Sequence, residues 1–536
     1  MKLMKVLFVA ALVVAIAAPT FAAVQNIKVS GSIEEQAIYM SNFDLRSKSE
    51  ESTNLRFPTG PGRVAPGNIG SGASINEDQE SFILQTVKVG VDSDLTDNVS
   101  ASVVIDNQGK WGQVGAFNNV NVNKAYVTLK EFFYQPLTLK IGRQDIKIGN
   151  GFVVGPGIYR DPNGTFGFPR ADAVPDRANL AIGNQAYIPG GPNGLQFSDA
   201  TYYDAIRATL DLDPWTVDAL YSKIAATGTM ASDQELAGIN IGYKFDQYNA
   251  KAEAYYFYKN DPRFNSDLGL VDPVDINFGN ANSDLTVPGV GSRVYERSQT
   301  DVFGMRGDIV PVENLTLSGE GAVQWGSLFD DRGPWNLSTN GSQLHRNRLA
   351  WAIDAYGNYI WKDVAYKPNF GLGVEYLSGQ SNGNSGTWNA WDPMFRGNSL
   401  SMIRGYMAGQ QASYNGVGGN IYQTLDPNDP SGSTDAITVY LDGGLKPMDD
   451  LALKARWLHF WTAEAGSIGM TGGNGRSRNL GDEVDTTIVY DYTEDVQFDL
   501  TGGVFVPETF YKNNSDTNTI STTPAVIVTT GVKVTF

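Results

Sequence analysis

The stretch from Pro524 to Phe536, PAVIVTTGVKVTF, limits the possible folds of this chain more than any other. Side chains of an extended backbone point alternately to opposite sides. Val526, Val528, Val532, Val534 and Phe536 therefore share one face, with Ile527, Thr529, Lys533 and Thr535 on the other. A strand so apolar on one side, closing on an aromatic residue, is expected to face lipid. Hydrocarbon leaves no partner for an open sheet edge, so such a strand belongs to a closed barrel.

The opposite end fits the same setting. Lys2 and Lys5 lead into an apolar run from Val6 to Ala18, followed by Pro19, Thr20, Phe21 and Ala22. Residues 1–22 read as a secretory signal peptide and 23–536 as a single barrel domain. The apolar run, about thirteen residues, falls short of the roughly 20 that a spanning helix needs. The chain has no cysteine, which removes disulfides and thiolate metal ligands. Taking Lys2 and Lys5 from the 40 basic residues leaves 38 against 58 acidic, a charge near −20. That balance argues against nucleic acid as a partner.

Between the ends, alternating strands are joined in turn by short polar turns and by long loops rich in Gly, Asn, Ser and Pro. Short turns are expected at Asp92–Asn98, Phe133–Pro136, Asp211–Pro214, Asp246–Gln247, Val310–Asn314, Trp361–Pro368, Lys446–Asp450 and Thr493–Asp495. Each closes a hairpin, and the first and last strands complete the set. The fold class is thus all-β, a transmembrane antiparallel β-barrel of about 18 strands, with short periplasmic turns and long extracellular loops. The longest loops, near Ser41–Gln79, Gly151–Thr201, Asn260–Glu296 and Gln380–Ser433, exceed ordinary connectors, and some are expected to fold into the barrel mouth. In Leu349 to Tyr359 the outward set is Leu349, Trp351, Ile353, Ala355 and Tyr359. Trp215 and Trp361 beside turns, with Trp325 and Trp461 at far strand ends, mark two interfacial girdles.

Several segments have a recognisable form. NKAYVTLKEFFYQPLTLKIGRQDIKIGNG (Asn123–Gly151) carries a Gly142-Arg143-Gln144 core, and EYLSG (Glu375–Gly379) precedes WNAWDPMFRG (Trp388–Gly397). LGDEVDTTIVYDYTEDVQFDLTGGVFVPET (Leu480–Thr509) and YYDAIRATL (Tyr202–Leu210) complete the set. In this order they resemble the alginate-export family of outer-membrane porins. The resemblance implies an 18-stranded barrel, a constriction lined by charged residues, and passive export or uptake of a polymer or small solute. The Gly151–Thr201 segment is longer than its counterpart in the family and carries Arg160, Arg170 and Arg177, a possible constriction loop.

The inward charges decide what passes. Leu137, Leu139 and Ile141 share one parity, Ile146 and Ile148 the other, and a bulge at Gly142–Arg143 would turn Lys140, Arg143, Asp145 and Lys147 inward together. Further pore-lining residues are expected at Arg207, Arg306, Asp308, Glu320, Arg348, Asp354, Glu375, Lys454, Arg456, Glu483 and Asp485. Guanidinium groups offer planar paired donors to carboxylates, which points to an anionic polysaccharide or uronic acid oligomer. The competing reading of these charges is a ladder of wall braces.

Catalysis finds little support. The only histidines are His345 and His459, and GQSNG (Gly379–Gly383) matches a nucleophile pattern without the strand-to-helix turn it needs. No cofactor is expected. The run from Asp426 to Asp435 offers oxygen ligands for surface calcium, though such runs commonly serve as turns. The expectation is a monomeric bacterial outer-membrane porin that meets outer-membrane lipid and a hydrophilic solute. A general small-solute porin and a plugged structural or adhesive barrel with ligand-binding loops are the alternatives.

Overall fold

A computed structural model describes residues 26–42, 79–112, 120–155, 203–225, 234–261, 298–330, 344–380, 386–392, 394–396, 400–403, 434–464, 477–510 and 523–536. The expected signal peptide lies outside them. The first strands are β1 (Asn26–Ser41), β2 (Gln79–Thr96), β3 (Val99–Lys110), β4 (Asn121–Leu129), β5 (Leu137–Gln144) and β6 (Tyr203–Leu212). Next come β7 (Trp215–Ala225), β8 (Gln234–Phe245), β9 (Ala250–Asp261), β10 (Ser298–Val312), β11 (Leu315–Asp330), β12 (Leu344–Ile360) and β13 (Asn369–Leu377). The chain then forms β14 (Thr387–Trp388), β15 (Ala436–Met448), β16 (Leu451–Thr462), β17 (Asn479–Asp491), β18 (Val496–Pro507) and β19 (Ala525–Thr535).

All nineteen belong to one sheet. β14 is two residues long and lies parallel against Asn347 and Arg348 of β12. The other eighteen form an antiparallel wall, closed where β1 pairs with β19 from Ser32↔Thr535 to Ser41↔Val526. Closure leaves no sheet edge facing hydrocarbon. The eight short turns lie where the sequence places them. Asn249 and Asn314 take left-handed φ of 45° and 71° in two of them, a conformation that asparagine tolerates.

Side-chain alternation along β12 shows which face meets lipid. Leu349, Trp351 and Ile353 are 53%, 44% and 45% exposed, whereas Ala350 and Ala352 are fully buried. An apolar belt this continuous would not stay dispersed in water. Trp215, Trp325 and Trp361 are likewise exposed on the outer face at the strand ends.

Two inward segments narrow the interior of the outer half. After Gln144 the chain leaves the wall, and Ile146, Ile148, Phe152, Val153 and Val154 are buried within it. After Leu377 it leaves again, bringing Trp388, Trp391, Met394, Phe395 and Ile403 inside. These two inward segments meet: the Phe152 and Trp391 rings stack at 6.0 Å, and Val154 bridges Phe395.

Candidate functional site

One row of the β-ladder carries the charges that matter most. Glu253 of β9 stands opposite Arg306, Arg306 opposite Glu320, Glu320 opposite Asp354, and Asp354 opposite Glu375. Like charges placed directly across strands destabilise a sheet, so four carboxylates and one guanidinium need more positive charge. The second inward segment supplies it. Arg396 Nη2 donates to Glu375 Oε2 at 2.5 Å, with both side chains buried. Arg306 donates to Asp308 at 2.9 and 2.5 Å and to Glu320 at 3.3 Å, and the Tyr255 hydroxyl donates to Glu320 at 2.8 Å. Arg306, Arg396 and Arg456 all act electrostatically on Asp354.

Asp392 holds the same segment at another point. Its carboxylate accepts from Lys259 Nζ at 3.1 Å to each oxygen, from Thr300 Oγ1 at 3.2 Å and from the Met394 amide at 2.8 Å. Gln324 clamps its backbone, donating to Asp392 O at 2.7 Å and accepting from Asp392 N at 2.9 Å. Burial opposes the charged form, but Lys259 and Arg348 outweigh it and hold this carboxyl well below the usual carboxylate range. A third anchor lies farther round the wall. Glu483 accepts from Ser401 Oγ and the Ile403 amide, both at 2.8 Å, and Arg456 donates to Leu400 O at 3.0 Å while gripping Asp442 at 2.5 and 3.0 Å.

Several of the residues expected to line the pore, Arg348, Glu375, Arg456, Glu483 and Asp485 among them, therefore fasten the inward segments. Glu320, Arg348, Asp354, Glu375, Glu483 and Asp485 are each at most 8% exposed. Arg348 donates to Ala390 O at 3.4 Å, and Asp485 accepts from the Met402 amide at 3.4 Å. Arg207 pairs with Asp218 at 2.9 Å. Lys140, Lys454 and Asp308 stay accessible from the lumen side.

Arg143 corrects the sequence reading. Ladder pairing is unbroken from Leu137↔Leu210 to Gln144↔Tyr203, so no residue slips. Arg143 keeps the outward parity of Ile141 and grips the outward Asp204 at 2.8 and 2.9 Å. The change of apolar phase has another cause. Ile146 and Ile148 follow the point where the strand turns into the barrel, and they pack inside it. Asp145, beyond the strand end, pairs with Lys124, and Lys147 is exposed. Gly142 does have an unusual backbone, φ +123°, and a Cβ there would lie 2.2 Å from Ala125 O. Arg160, Arg170 and Arg177 lie outside the described residues.

Sequence reasoning missed Arg396, Asp392, Lys259 and Ser401 as site residues. The signal was present in WNAWDPMFRG: two tryptophans and an Asp-Pro so close to a strand end suit a buried segment better than an exposed loop. His459 sits on the outer face, with Nδ1 2.8 Å from Asp482 and its ring 4.0 Å from that of Trp461. The GQSNG serine lies outside the described residues, as does most of the Asp426–Asp435 run. Among the described residues, no group of three or more carboxylates or histidines is placed to hold a metal ion.

One stretch of wall has a different character. Lys140 of β5 stands opposite Arg207 of β6, and Lys244 of β8 opposite Lys251 of β9. Lys140 Nζ rests 3.7 Å above the Tyr126 ring, and Lys244 has no ion-pair partner among the described residues. These cations lie toward the short-turn ends of their strands, on the periplasmic side of the inward segments.

The family model for alginate export matches residues 191–522, more than half of the chain. The chain belongs to the alginate export family. No curated protein sequence matches it. Among solved structures it resembles OccK2 (OpdF) of Pseudomonas aeruginosa, at 9% identity and a TM-score of 0.47, covering 96% of this chain and 99% of that one. It also resembles OccK11 (OpdR) of the same organism, at 11% identity and a TM-score of 0.44, covering 95% and 96%. OmpT of Vibrio cholerae matches at 10% identity and a TM-score of 0.38, covering 96% and 100%. Family membership and a closed barrel with an apolar belt locate this member of the alginate export family in the bacterial outer membrane, as a channel of porin type.

Proposed function

We propose that the channel passes hydrophilic anions of the sugar-acid class passively, as a monomer, across the outer membrane. The observation carrying this reading is the pair of like-charged contacts, Lys140 opposite Arg207 and Lys244 opposite Lys251. Like charges directly opposite one another destabilise a sheet, and here Asp218 on Arg207 and Glu253 on Lys251 offset only one member of each pair. A wall that keeps them gains when something anionic passes over it. The acidic side chains of the ladder row are occupied by wall partners and by the inward segments, Glu253 by Lys251 at 2.7 Å and Glu375 by Arg396. The cations accessible to a passing solute therefore include Lys140, Lys244 and Lys454, while the accessible Asp308 is held by Arg306. Carboxylate groups meet ammonium and guanidinium groups through charge-assisted hydrogen bonds that a neutral sugar cannot match. An outer face apolar around the ring favours a lone barrel.

Reversal potentials in planar bilayers under a KCl gradient test this reading. Preference for Cl⁻ is expected, with K140E and K244E together shifting the potential toward K⁺. Clear K⁺ preference in the unaltered protein, unmoved by those changes, would contradict it.

A further inference from the structure

Periplasmic to the ladder row, the wall holds a flat aromatic surface. Tyr356 of β12, Gly373 of β13 and Tyr440 of β15 share one row, two residues nearer the short turns than Asp354. The two rings are 5.7 Å apart and inclined by only 13°. Both lie along the wall because β13 has no side chain to obstruct them. A Cβ on Gly371 would come within 2.3 Å of the Tyr356 hydroxyl, and one on Gly373 within 2.0 Å of the Tyr440 ring. Tyr440 is covered, with Arg456 5.4 Å from its ring centre and its hydroxyl donating to Asp354 at 3.3 Å. Tyr356 is half-buried. It packs against the buried cluster around Tyr440 and has the inward parity of Asp354, which directs its side chain into the lumen.

Polar groups of both signs edge this ring. Asp442, which acts on the Tyr356 hydroxyl, is gripped by Arg456, and exposed Lys454 lies two residues farther along β16, opposite Gly444. An aromatic face attracts the slightly positive C–H groups on the apolar side of a pyranose ring. Cations and a carboxylate beside it suit the acid and hydroxyl substituents of the same sugar. A few placed polar groups around an apolar surface are the general form of a small-ligand site.

We propose that Tyr356 is the floor of a stacking subsite for a pyranose ring, with Arg456 and Lys454 receiving the carboxylate and Asp442 a hydroxyl. The sugar-acid reading above supplies the solute class, and the subsite adds that the ring itself is recognised, beyond its charge. In transit each sugar unit pauses on Tyr356 before passing the inward segments.

The test is interruption of single-channel current through the full chain in planar bilayers. Three probes are added from the short-turn side: a galacturonic acid hexamer, a neutral maltohexaose and a ring-free glutamic acid hexamer. Y356L is expected to shorten the residence of both sugars by about 2- to 10-fold, and Y356F to keep it. The glutamate hexamer should be indifferent to both changes. Unchanged sugar residence in Y356L, or an equal loss for the glutamate hexamer, would overturn the subsite. Maltohexaose held as long as the galacturonate hexamer would instead count against the sugar-acid reading while leaving the stacking intact. Heat-dependent gel mobility of each variant establishes that the barrel has closed.

Discussion

The Arg396–Glu375 pair shows how a single contact can hold a loop inside a barrel. Both groups are out of water, so removing one leaves the other charged and without compensation, at a cost of about 3–5 kcal/mol. R396A should lower the denaturant midpoint of the folded barrel in detergent and raise single-channel conductance, since the inward segment loses its grip on the ladder row. An unchanged midpoint together with unchanged conductance would refute that role. R143A is the matching control. Its partner Asp204 faces outward, so ion selectivity should not change, whereas the bulge expected from the sequence would have placed Arg143 in the pore. Asp392 gives a sign for pH. Its folded-state value is depressed below an unfolded value of about 3.9, so its contribution is complete above about pH 4 and is lost only as pH falls through the folded value. Mild acid should therefore not release the segment at this point, and D392N should release it at any pH, as channel current would reveal.

At the scale of elements, two short strands do the shaping. β5 and β13 have eight and nine residues, where their partners β6 and β12 have ten and seventeen. A strand that stops early leaves the neighbouring edge unpaired. At β13 the returning chain makes good the loss, with Asn347 N donating to Gly386 O at 3.0 Å, Trp351 N to Ser378 Oγ at 3.0 Å and Asn389 Nδ2 to Leu349 O at 2.9 Å. Trp391 then packs against Phe152 and joins the two inward segments. W391A should cost about 3–5 kcal/mol and make channel current noisier, because the first segment loses its main apolar neighbour. Quiet current in that variant would show the segments to be held independently.

Strand positions and faces were legible in the sequence because lipid on one side and water on the other enforce a period of two. The outward set of β12 came from that rule alone, and the eight short turns from that rule together with the polar turn residues between strands. The role of the inward charges was less legible. Glu320, Glu375 and Glu483 have the parity of pore-lining residues and are pore-facing in direction, yet they are covered by chain that alternation does not describe. The Ile146 and Ile148 pair looked like a slipped strand for the same reason: periodicity assumes that the wall continues, and here it stops at Gln144.

For the molecule as a whole, closure and constriction are separate achievements. Closure comes from backbone pairing of β1 with β19, reinforced where Gly31 and Phe536 exchange backbone hydrogen bonds of 2.8 and 3.0 Å beneath the terminal ring. Constriction comes from buried charge, with carboxylates on the wall drawing Arg396 and the Ser401–Ile403 turn inward. In the proposed reading, the cations along β5, β6, β8 and β9 then set what the remaining passage prefers. Swelling of liposomes containing the purified chain tests this division most directly, with galacturonate oligomers and neutral sugars of equal size supplied at equal osmolarity. Both should enter, the galacturonate oligomers faster. Liposomes that fail to swell with either solute would mean that the inward segments seal the barrel and that it is not a channel.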